Sequence, residues 1–289
     1  MELSDLVVFR TVVEAGGITK AAGRLNRVQS NVTARMKKLE EDLGAELFTR
    51  QGRGLTLAPA GIALLPYAER MIDLAEEARQ AVRGDSLGGP LRLGTMESTA
   101  AVRLPLPLAA FHRRYPEIIL DLRTNSTEPL IAQVLRGELD AALIAGPVED
   151  ARLERRTVFT ENLVVVVPAG HSPFRDGGGL TLLTFKPGCA YRKILETWVA
   201  AQGAVPDRLV EMNSYHGMLG CVSAGMGIAL MPVSLIESYP GAAGLSLLPL
   251  PPETGRVDTL LVWRKAGPRA RIAALADILL AATQDVPAA

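Results

Sequence analysis

The chain has 289 residues, of which 48% are hydrophobic and 21% charged, and its formal net charge at pH 7 is zero. This length predicts two or three folded units, and the composition is typical of a soluble globular protein rather than one that is basic throughout. The two cysteines and three histidines fit neither a disulfide framework nor a metal-ligand pattern, so we predict no metal site.

Other functional signatures are also missing from the sequence. It contains no phosphate-binding loop and no nucleophile–base–acid pattern, so we predict neither a cofactor nor enzymatic activity. Residues 1–5 are acidic and do not begin a targeting signal. The most apolar later stretch, residues 218–236, is interrupted by Gly, Ser and Pro, which argues against a membrane span. We therefore expect a cytoplasmic protein.

Residues 18–43 predict two short helices separated by a tight turn. The first helix would span residues 18–25, and Asn26 tolerates the left-handed backbone that the turn needs. The second helix would span residues 28–43, with Gly44 as its C-terminal cap. One face of this second helix is apolar and consists of Val32, Met36, Leu39 and Leu43.

The other face of the second helix carries groups that can contact DNA. They are Gln29, Ser30, Thr33, Arg35, Lys37 and Lys38. Because the N-terminal end of such a helix meets base edges in the major groove, we predict that Gln29, Ser30 and Thr33 read bases. The three basic residues would contact phosphates. The residues alone leave open an ordinary amphipathic helix whose basic side is merely solvated.

A basic hairpin is predicted directly after this helix. Residues 46–50 and 55–57 are typical of two short strands, and residues 51–54 form a glycine-bearing turn between them. A hairpin in this position indicates the wing of a winged helix. Arg50 and Arg53 would contact the DNA backbone or a minor groove.

The whole segment resembles the LysR-type transcriptional regulators, a bacterial family. The resemblance is carried by Phe9 in an initial helix over residues 3–15, Thr19-Lys20-Ala21-Ala22, Leu25-Asn26, Gln29-Ser30, residues 37–44, Leu47-Phe48, Arg50, Arg53, Leu55-Thr56 and Ala60-Gly61. Two positions depart from the family pattern, since many members have Ser at the place of Val28 and Arg at the place of Ala34. We therefore carry over base contacts only for Gln29, Ser30 and Thr33.

Residues 59–83 predict one long helix with a heptad-like apolar stripe. The stripe consists of Ile62, Leu65, Ala68, Ile72, Ala75, Ala78 and Val82. Pro66 should bend the first turns. The resemblance implies that this linker helix pairs with its counterpart in a homodimer, and that dimers assemble into homotetramers. The alternative is a helix that packs on its own chain.

The remainder predicts an α/β domain. After a glycine-rich hinge at residues 84–90, strands and helices alternate, which favours a parallel sheet. Their predicted ranges are 91–94, 118–123, 141–145 and 163–167 for strands, and 99–115, 128–136 and 268–283 for helices. The fold class is thus α/β with an all-α, winged N-terminal domain.

The resemblance implies three parts of the chain with different roles. They are a winged helix-turn-helix at residues 1–58, a linker helix at residues 59–84 and an effector-binding domain at residues 85–289. The last would have two lobes around a cleft, like solute-binding proteins. We expect lobe I at about residues 90–160 and 266–289, lobe II at about 161–265, and crossings near residues 160–163 and 261–265.

Ligands of open α/β sheets bind beyond the carboxyl ends of strands. The predicted effector residues at such places are Ser98, Thr99, Ser126, Cys189, Tyr191, Arg192, Met226 and Gly227. The resemblance favours Ser98 and Thr99, although either of them, like Ser126, could simply cap a helix. Arg192 could pair with an anion.

Cys189 raises a separate alternative. A helix N-terminus beside Arg192 should lower a thiol pKa, and peroxide-sensing members of the family keep a reactive cysteine near this place. However, Cys221 lies in an apolar segment and is not an obvious partner. We therefore predict a DNA-binding regulator that responds to a small-molecule effector, with an anion as one candidate. The alternatives are a thiol-based redox regulator and a small-molecule-binding α/β protein without regulatory DNA binding.

Overall fold

A computed structural model of the chain describes residues 1–51, 54–83, 87–171, 173–174, 179–265 and 269–284. The chain divides into two units, Met1–Ser86 and Leu87–Ala289. Among the residues described, no helix combines the length and the apolar character needed to cross a membrane.

The first unit is a helix-turn-helix followed by a hairpin and a long helix. Its elements are α1 (Leu3–Ala15), α2 (Ile18–Arg24), α3 (Gln29–Leu43), β1 (Phe48–Gln51), β2 (Gly54–Leu57) and α4 (Pro59–Arg83). The predicted turn is confirmed, since Asn26 has a φ of 50°. Gly44 ends α3 in the left-handed region with a φ of 65°, as glycine readily does. The antiparallel pairing of β1 with β2 confirms the predicted hairpin.

The core of this unit lies between α1, α2, α3 and the start of α4. Phe9 is fully buried and its ring lies 5.5 Å from that of Phe48, which joins α1 to the hairpin. Val32, Met36 and Leu39 of α3 are buried as predicted. Leu43 is 39% exposed because it is the last residue of the helix, so the predicted apolar face is one residue shorter.

The apolar stripe predicted for α4 is divided in the structure. Ala68 is buried, and Leu65 and Ile72 pack against the core of the same unit. One face of α4 thus packs against its own unit. Leu65, Ala68 and Ile72 are therefore not available to pair with a second helix. The large apolar side chains that α4 exposes are Ile62, Tyr67, Met71, Leu74 and Val82. Pro66 lies inside the helix.

The second unit is built from nine strands and eight helices within its described residues. They are β3 (Gly89–Thr95), α5 (Glu97–Val102), α6 (Pro105–Arg114), β4 (Ile118–Thr124), α7 (Thr127–Arg136), β5 (Ala141–Ala145), β6 (Leu153–Pro168), β7 (Thr181–Thr184), α8 (Ala190–Ala201), β8 (Arg208–Glu211), α9 (Tyr215–Ser223), β9 (Ala229–Pro232), α10 (Val233–Glu237), β10 (Leu245–Pro249), α11 (Pro252–Gly255), β11 (Arg256–Arg264) and α12 (Arg269–Gln284).

One predicted helix is two helices in the structure. Residues 99–115 were expected to be continuous, but α5 ends at Val102 and α6 begins at Pro105. Proline lacks the N–H that would continue the hydrogen-bond ladder, and it is well tolerated in the first turn of a new helix.

The main sheet has the strand order β10-β6-β11-β5-β3-β4, with β9 also paired to β6. Strand β3 is parallel to β4 and β5, whereas β11 is antiparallel to both of its neighbours. The long strand β6 pairs with β11 up to Asn162 and with β9 from Leu163. We call the sheet around β3, β5 and β11 lobe I, and the part around β7 to β10 lobe II.

The two crossings between the lobes are only partly as predicted. The first predicted crossing, at residues 160–163, falls where β6 changes its pairing partner at Asn162–Leu163. The second was expected near residues 261–265, but every residue of β11 from Arg256 onward pairs with the lobe I part of β6. The chain therefore returns to lobe I before Arg256. Antiparallel insertion of β11 between two strands is a long-range pairing, which periodicity along the chain does not reveal.

Candidate nucleic-acid interface and ligand cleft

The residues predicted to read bases stand at the solvent-exposed front of α3. Gln29, Ser30 and Thr33 are all exposed, so the chain's own core does not cover them. Val28, the residue that precedes the helix, is 70% exposed. The first turns of α3 therefore present a short polar surface that the first unit leaves open.

Local hydrogen bonds orient this surface. The hydroxyl of Thr19 on α2 donates to the side-chain oxygen of Gln29 at 3.2 Å. Thr33 donates its hydroxyl hydrogen to the backbone carbonyl of Gln29 at 3.0 Å. Its methyl group and the lone pairs of its hydroxyl oxygen remain available for contacts with DNA. The amide nitrogen of Gln29 keeps both of its donors for an outside acceptor.

Two of the three predicted phosphate-binding residues lie on the exposed side of α3. Lys37 lies 3.6 Å from Glu41, and Lys38 lies 3.4 Å from Glu2. The hydrogen bond and charge of Lys38 lower the pKa of the Glu2 carboxyl. Such exposed ion pairs contribute little stability, so both ammonium groups are available to exchange their partners for phosphates.

Arg35 has a different environment from the two lysines. Its Nη1 donates to Asp5 Oδ1 and to Ser4 Oγ, both at 2.8 Å, and Asp5 is buried. The geometry therefore assigns Arg35 to holding α1 against α3 rather than to phosphate binding. Its partner lies 30 residues earlier in the chain, which the sequence pattern does not show.

A carboxylate of α3 holds the start of the hairpin. Glu40 Oε1 accepts hydrogen bonds from the backbone N–H groups of Leu47 at 2.8 Å and Phe48 at 3.3 Å. The backbone of Arg50 pairs with Leu55. Arg53 lies outside the described residues, as does the side chain of Arg50, so their DNA contacts stay predictions.

A cavity of about 290 Å³ lies between the lobes of the second unit. Its walls are formed where β3, β4, β7 and β8 end, which is the place that ligands occupy in open α/β sheets. The lining residues are Met96, Glu97, Thr124, Asn125, Ser126, Thr127, Phe185, Lys186, Cys189, Ala190, Tyr191, Asn213 and Tyr215. Three predicted effector residues are among them: Ser126, Cys189 and Tyr191.

Ser98 and Thr99, the residues that the resemblance favoured, do not form the wall of this cavity. Both are buried within α5. Burial raises the pKa of the Tyr191 and Tyr215 hydroxyls, and the neighbouring Ser98 opposes this to a smaller extent. Ser98 thus supports two tyrosines that line the cavity, because its side chain faces the interior of the fold.

The remaining predicted effector residues are engaged elsewhere. Arg192 Nε donates to Glu196 and Nη1 donates to Glu211, both at 2.8 Å, and Arg192 is absent from the wall of this cavity. Gly227 serves close packing, since a Cβ there would collide with the carbonyl oxygen of Thr181. Met226 is 46% exposed and is absent from the cavity wall. The predicted roles of Arg192, Met226 and Gly227 in effector binding stay predictions, and none of the three lines this cavity.

Glu97 is a cavity residue that the sequence interpretation passed over. It is the first residue of α5. Burial raises the pKa of its carboxyl, while a hydrogen bond from the backbone N–H of Tyr215 and the charge of nearby His216 act in the opposite direction. Its Oε2 is buried and has no hydrogen-bond partner within the described part of the chain.

Comparison with known proteins agrees with both parts of this architecture. Residues 3–62 match the model of the bacterial regulatory helix-turn-helix proteins of the lysR family, and residues 84–284 match the LysR substrate binding domain. The chain belongs to the LysR family of transcriptional regulators.

Similar proteins cover nearly the whole chain. The regulator GltR of Bacillus subtilis is 40% identical over 269 residues, covering 92% of this chain and 91% of GltR. The regulator SoxR of Arthrobacter sp. is 37% identical over 265 residues, or 91% of each chain. The family members are HTH-type transcriptional regulators, and this chain is a DNA-binding regulator with an effector-binding domain.

Solved structures of LysR-type proteins share the fold. A full-length OxyR variant from Pseudomonas aeruginosa superposes with a TM-score of 0.69 at 26% identity, covering 96% of this chain and 94% of that one. Full-length CbnR in complex with its target DNA gives a TM-score of 0.66 at 24% identity, covering 98% of this chain and all of that one. The second likeness shows the fold alone.

The cysteines of this LysR-type protein do not have the environment expected for a redox sensor. Burial raises the pKa of the Cys189 thiol, and the backbone N–H groups of Arg192 and Tyr191 and the charge of Arg192 lower it to a smaller extent. The lowered pKa expected from the sequence is therefore wrong. The desolvation of the thiolate outweighs the helix terminus. Cys189 and Cys221 are both free thiols.

We expect Cys189 to react slowly with a disulfide reagent. In a Cys221→Ser variant, modification by dithionitrobenzoate at pH 7 should be slower than that of free cysteine, because the thiolate is the nucleophile. The rate should rise only as the pH passes above the usual thiol range. The Cys189→Ser variant measures Cys221 alone as the control. Faster modification than free cysteine at pH 7 would instead favour the thiol-based redox alternative.

Proposed function

We propose that this LysR-type regulator binds a two-fold DNA operator in the cytoplasm and that a small-molecule effector in the cleft between lobes I and II modulates this binding. The observation that carries the DNA-binding part is the exposed front of α3. There Thr19 orients the Gln29 amide toward solvent. The effector would act through a difference in its affinity for two arrangements of the protein.

The front of α3 suits particular base contacts. An oriented glutamine amide can donate to N7 of adenine and accept from its N6 amino group. The methyl group of Thr33 can contact the methyl group of a thymine, and Ser30 can donate or accept. Lys37 and Lys38 would neutralise phosphates on either side of the reading residues.

A homodimer would place two such surfaces on one operator. Beyond Pro66, helix α4 exposes the apolar side chains Tyr67, Met71, Leu74 and Val82. At 100° per residue, these four side chains fall within a sector about 80° wide around the helix axis. They therefore form one narrow apolar face along which a second helix can pack. We call these four residues the α4 stripe. Two-fold pairing along it matches palindromic half-sites, and the family resemblance extends this assembly to tetramers.

Selection from random DNA followed by one substitution tests the proposal. The full chain should enrich a palindromic duplex from a random library. Gln29→Ala should then weaken binding to that duplex by about 1–3 kcal/mol and relax the sequence preference at one base pair in each half-site. Both quantities are read from fluorescence anisotropy with the selected duplex and its single-base variants.

Two controls separate base reading from general attraction to DNA. Lys37→Ala should weaken binding to all duplexes alike and reduce the slope of log K against log salt by roughly 1. Gln202→Ala, at an exposed glutamine of the other unit, should leave binding unchanged. A library that yields no preferred sequence would favour the α/β protein without regulatory DNA binding, and an unchanged preference in Gln29→Ala would remove this residue from the interface.

A further inference from the structure

The wall of the cleft cavity carries one charge of each sign. Among the described residues that line it, the charged side chains are Glu97 and Lys186. Glu97 lies on α5 of lobe I, whereas Lys186 follows β7 of lobe II. Lys186 is exposed and Glu97 is partly buried, so the negative charge lies deeper in the cleft than the positive one.

The carboxylate of Glu97 is incompletely satisfied by the protein. Oε2 is buried without a hydrogen-bond partner among the described residues, although a buried carboxylate is expensive unless it is paired and hydrogen-bonded. Its neighbours in the cavity wall include the apolar side chains of Met96 and Phe185. Because Glu97 lines the cavity, its carboxylate offers a negative charge there that the described residues satisfy only in part.

Arg192, the side chain predicted to bind an anion, is absent from the wall of this cavity. The Arg192 guanidinium is paired with Glu196 and Glu211. Placing a carboxylate beside Glu97 would bring two like charges together in a partly desolvated site, which is unfavourable. The deep end of the cavity consequently favours a donor that carries positive charge.

We propose that the effector is a small zwitterion whose ammonium group binds Glu97 and whose anionic end is held on the Lys186 side of the cavity. This inference rests on the proposed function, because it assumes that the cleft is the effector site. A volume of about 290 Å³ lies near the lower limit for small-molecule sites and suits a ligand of amino-acid size. The side-chain amides of Asn125 and Asn213 add donors along the wall.

This placement also couples the ligand to the arrangement of the lobes. Glu97 belongs to lobe I, and it lines the cavity together with Tyr215 and Lys186 of lobe II. A zwitterion between Glu97 and Lys186 would bridge the lobes with two opposite charges. It would bind best to the arrangement in which both groups face the same cavity, which is the differential affinity that a switch requires.

Calorimetric titration of the full chain tests the ligand chemistry. The probes are the proteinogenic amino acids and the unbranched ω-amino acids of three to six carbons. Each amino acid is compared with its desamino acid, the same molecule without the amino group. We expect saturable binding of at least one zwitterion, and binding of its desamino acid that is weaker by roughly 10- to 100-fold, as expected when a charged hydrogen bond is lost. This comparison needs no substitution and therefore no assumption about folding.

A matched pair of variants then assigns the effect to Glu97. Glu97→Gln keeps the shape and an acceptor oxygen but loses the charge, and it should weaken binding of the zwitterion by roughly 10-fold or more. Glu149→Gln removes an exposed carboxylate that lies outside the cavity wall and should bind like the wild type. Melting curves without ligand check that both variants are folded.

Three results would overturn the inference: no probe binds, a desamino acid binds as tightly as its zwitterion, or Glu97→Gln binds like the wild type. Each of these leaves operator binding by the ligand-free protein untouched. Loss of the zwitterion site is therefore distinguishable from failure of the proposed regulator, which the DNA selection tests separately.

Discussion

Replacing Arg103 by methionine is expected to lower the free energy of unfolding of the second unit by about 3–5 kcal/mol, the usual effect of removing one partner from a buried ion pair. Arg103 Nε and Nη2 donate to the two carboxylate oxygens of Glu161 at 2.6 and 2.9 Å. Glu161 is 4% exposed and also accepts a hydrogen bond from Ser234 at 2.9 Å. Methionine would leave this carboxylate buried without its cation.

Urea unfolding followed by tryptophan fluorescence measures this effect in the intact chain. Both tryptophans, Trp198 and Trp263, belong to the second unit, so their signal reports that unit. Arg136→Met removes an exposed pair with Glu138 and should change stability by less than about 1 kcal/mol. The double variant Arg103→Met/Glu161→Gln should recover part of the loss. Equal stability of Arg103→Met and Arg136→Met would show that Glu161 does not depend on its partner.

The position of this ion pair explains its expected size. Glu161 lies in β6 next to the crossing at Asn162–Leu163, Arg103 follows α5 in lobe I, and Ser234 belongs to α10 in lobe II. The carboxylate thus joins both lobes where the chain passes between them. Breaking the Arg103–Glu161 pair would therefore weaken the packing between the lobes as well as one ion pair. The surface ion pairs of the same unit have no such second effect.

Much of the first unit could be predicted from its sequence because its signals are local. The turn at Asn26, the cap at Gly44 and the apolar spacing of Val32, Met36 and Leu39 all act over a few residues. The role of Arg35 could not be predicted in this way. Its partner Asp5 comes from another helix, and the same basic side chain could equally have faced a phosphate.

The cavity between the lobes was predictable in position but not in composition. The rule that ligands bind beyond strand ends located the loops after β3 and β4 and the start of α8. Lys186 and Asn213 follow β7 and β8, which have only four residues each and leave a weak periodic signal. The ion pair of Arg192 could not be predicted because its partner Glu211 lies 19 residues away on β8, a proximity that only the fold creates.

The substitution Leu74→Glu is expected to dissociate the proposed dimer. Leu74 lies in the middle of the α4 stripe and is 62% exposed in the single chain. Losing the burial of a leucine costs about 1.5–3 kcal/mol, and a two-fold interface contains the residue twice. The dissociation constant of the dimer should therefore rise by about 100-fold or more. Analytical ultracentrifugation over a range of protein concentrations measures this change.

Operator binding provides the second measurement for the Leu74→Glu variant. Two linked reading surfaces gain about 10²- to 10⁴-fold in avidity, so the variant should bind the full palindrome hardly better than a half-site duplex. Arg79→Glu is the control for added negative charge: it lies about 140° around the helix from Leu74, and it lowers the net charge by two units, against one for Leu74→Glu. It should keep the wild-type preference for the palindrome. If Leu74→Glu remains dimeric at the concentrations that dimerise the wild type, the α4 stripe is not the pairing surface, and the two-fold operator requires contacts from elsewhere in the chain.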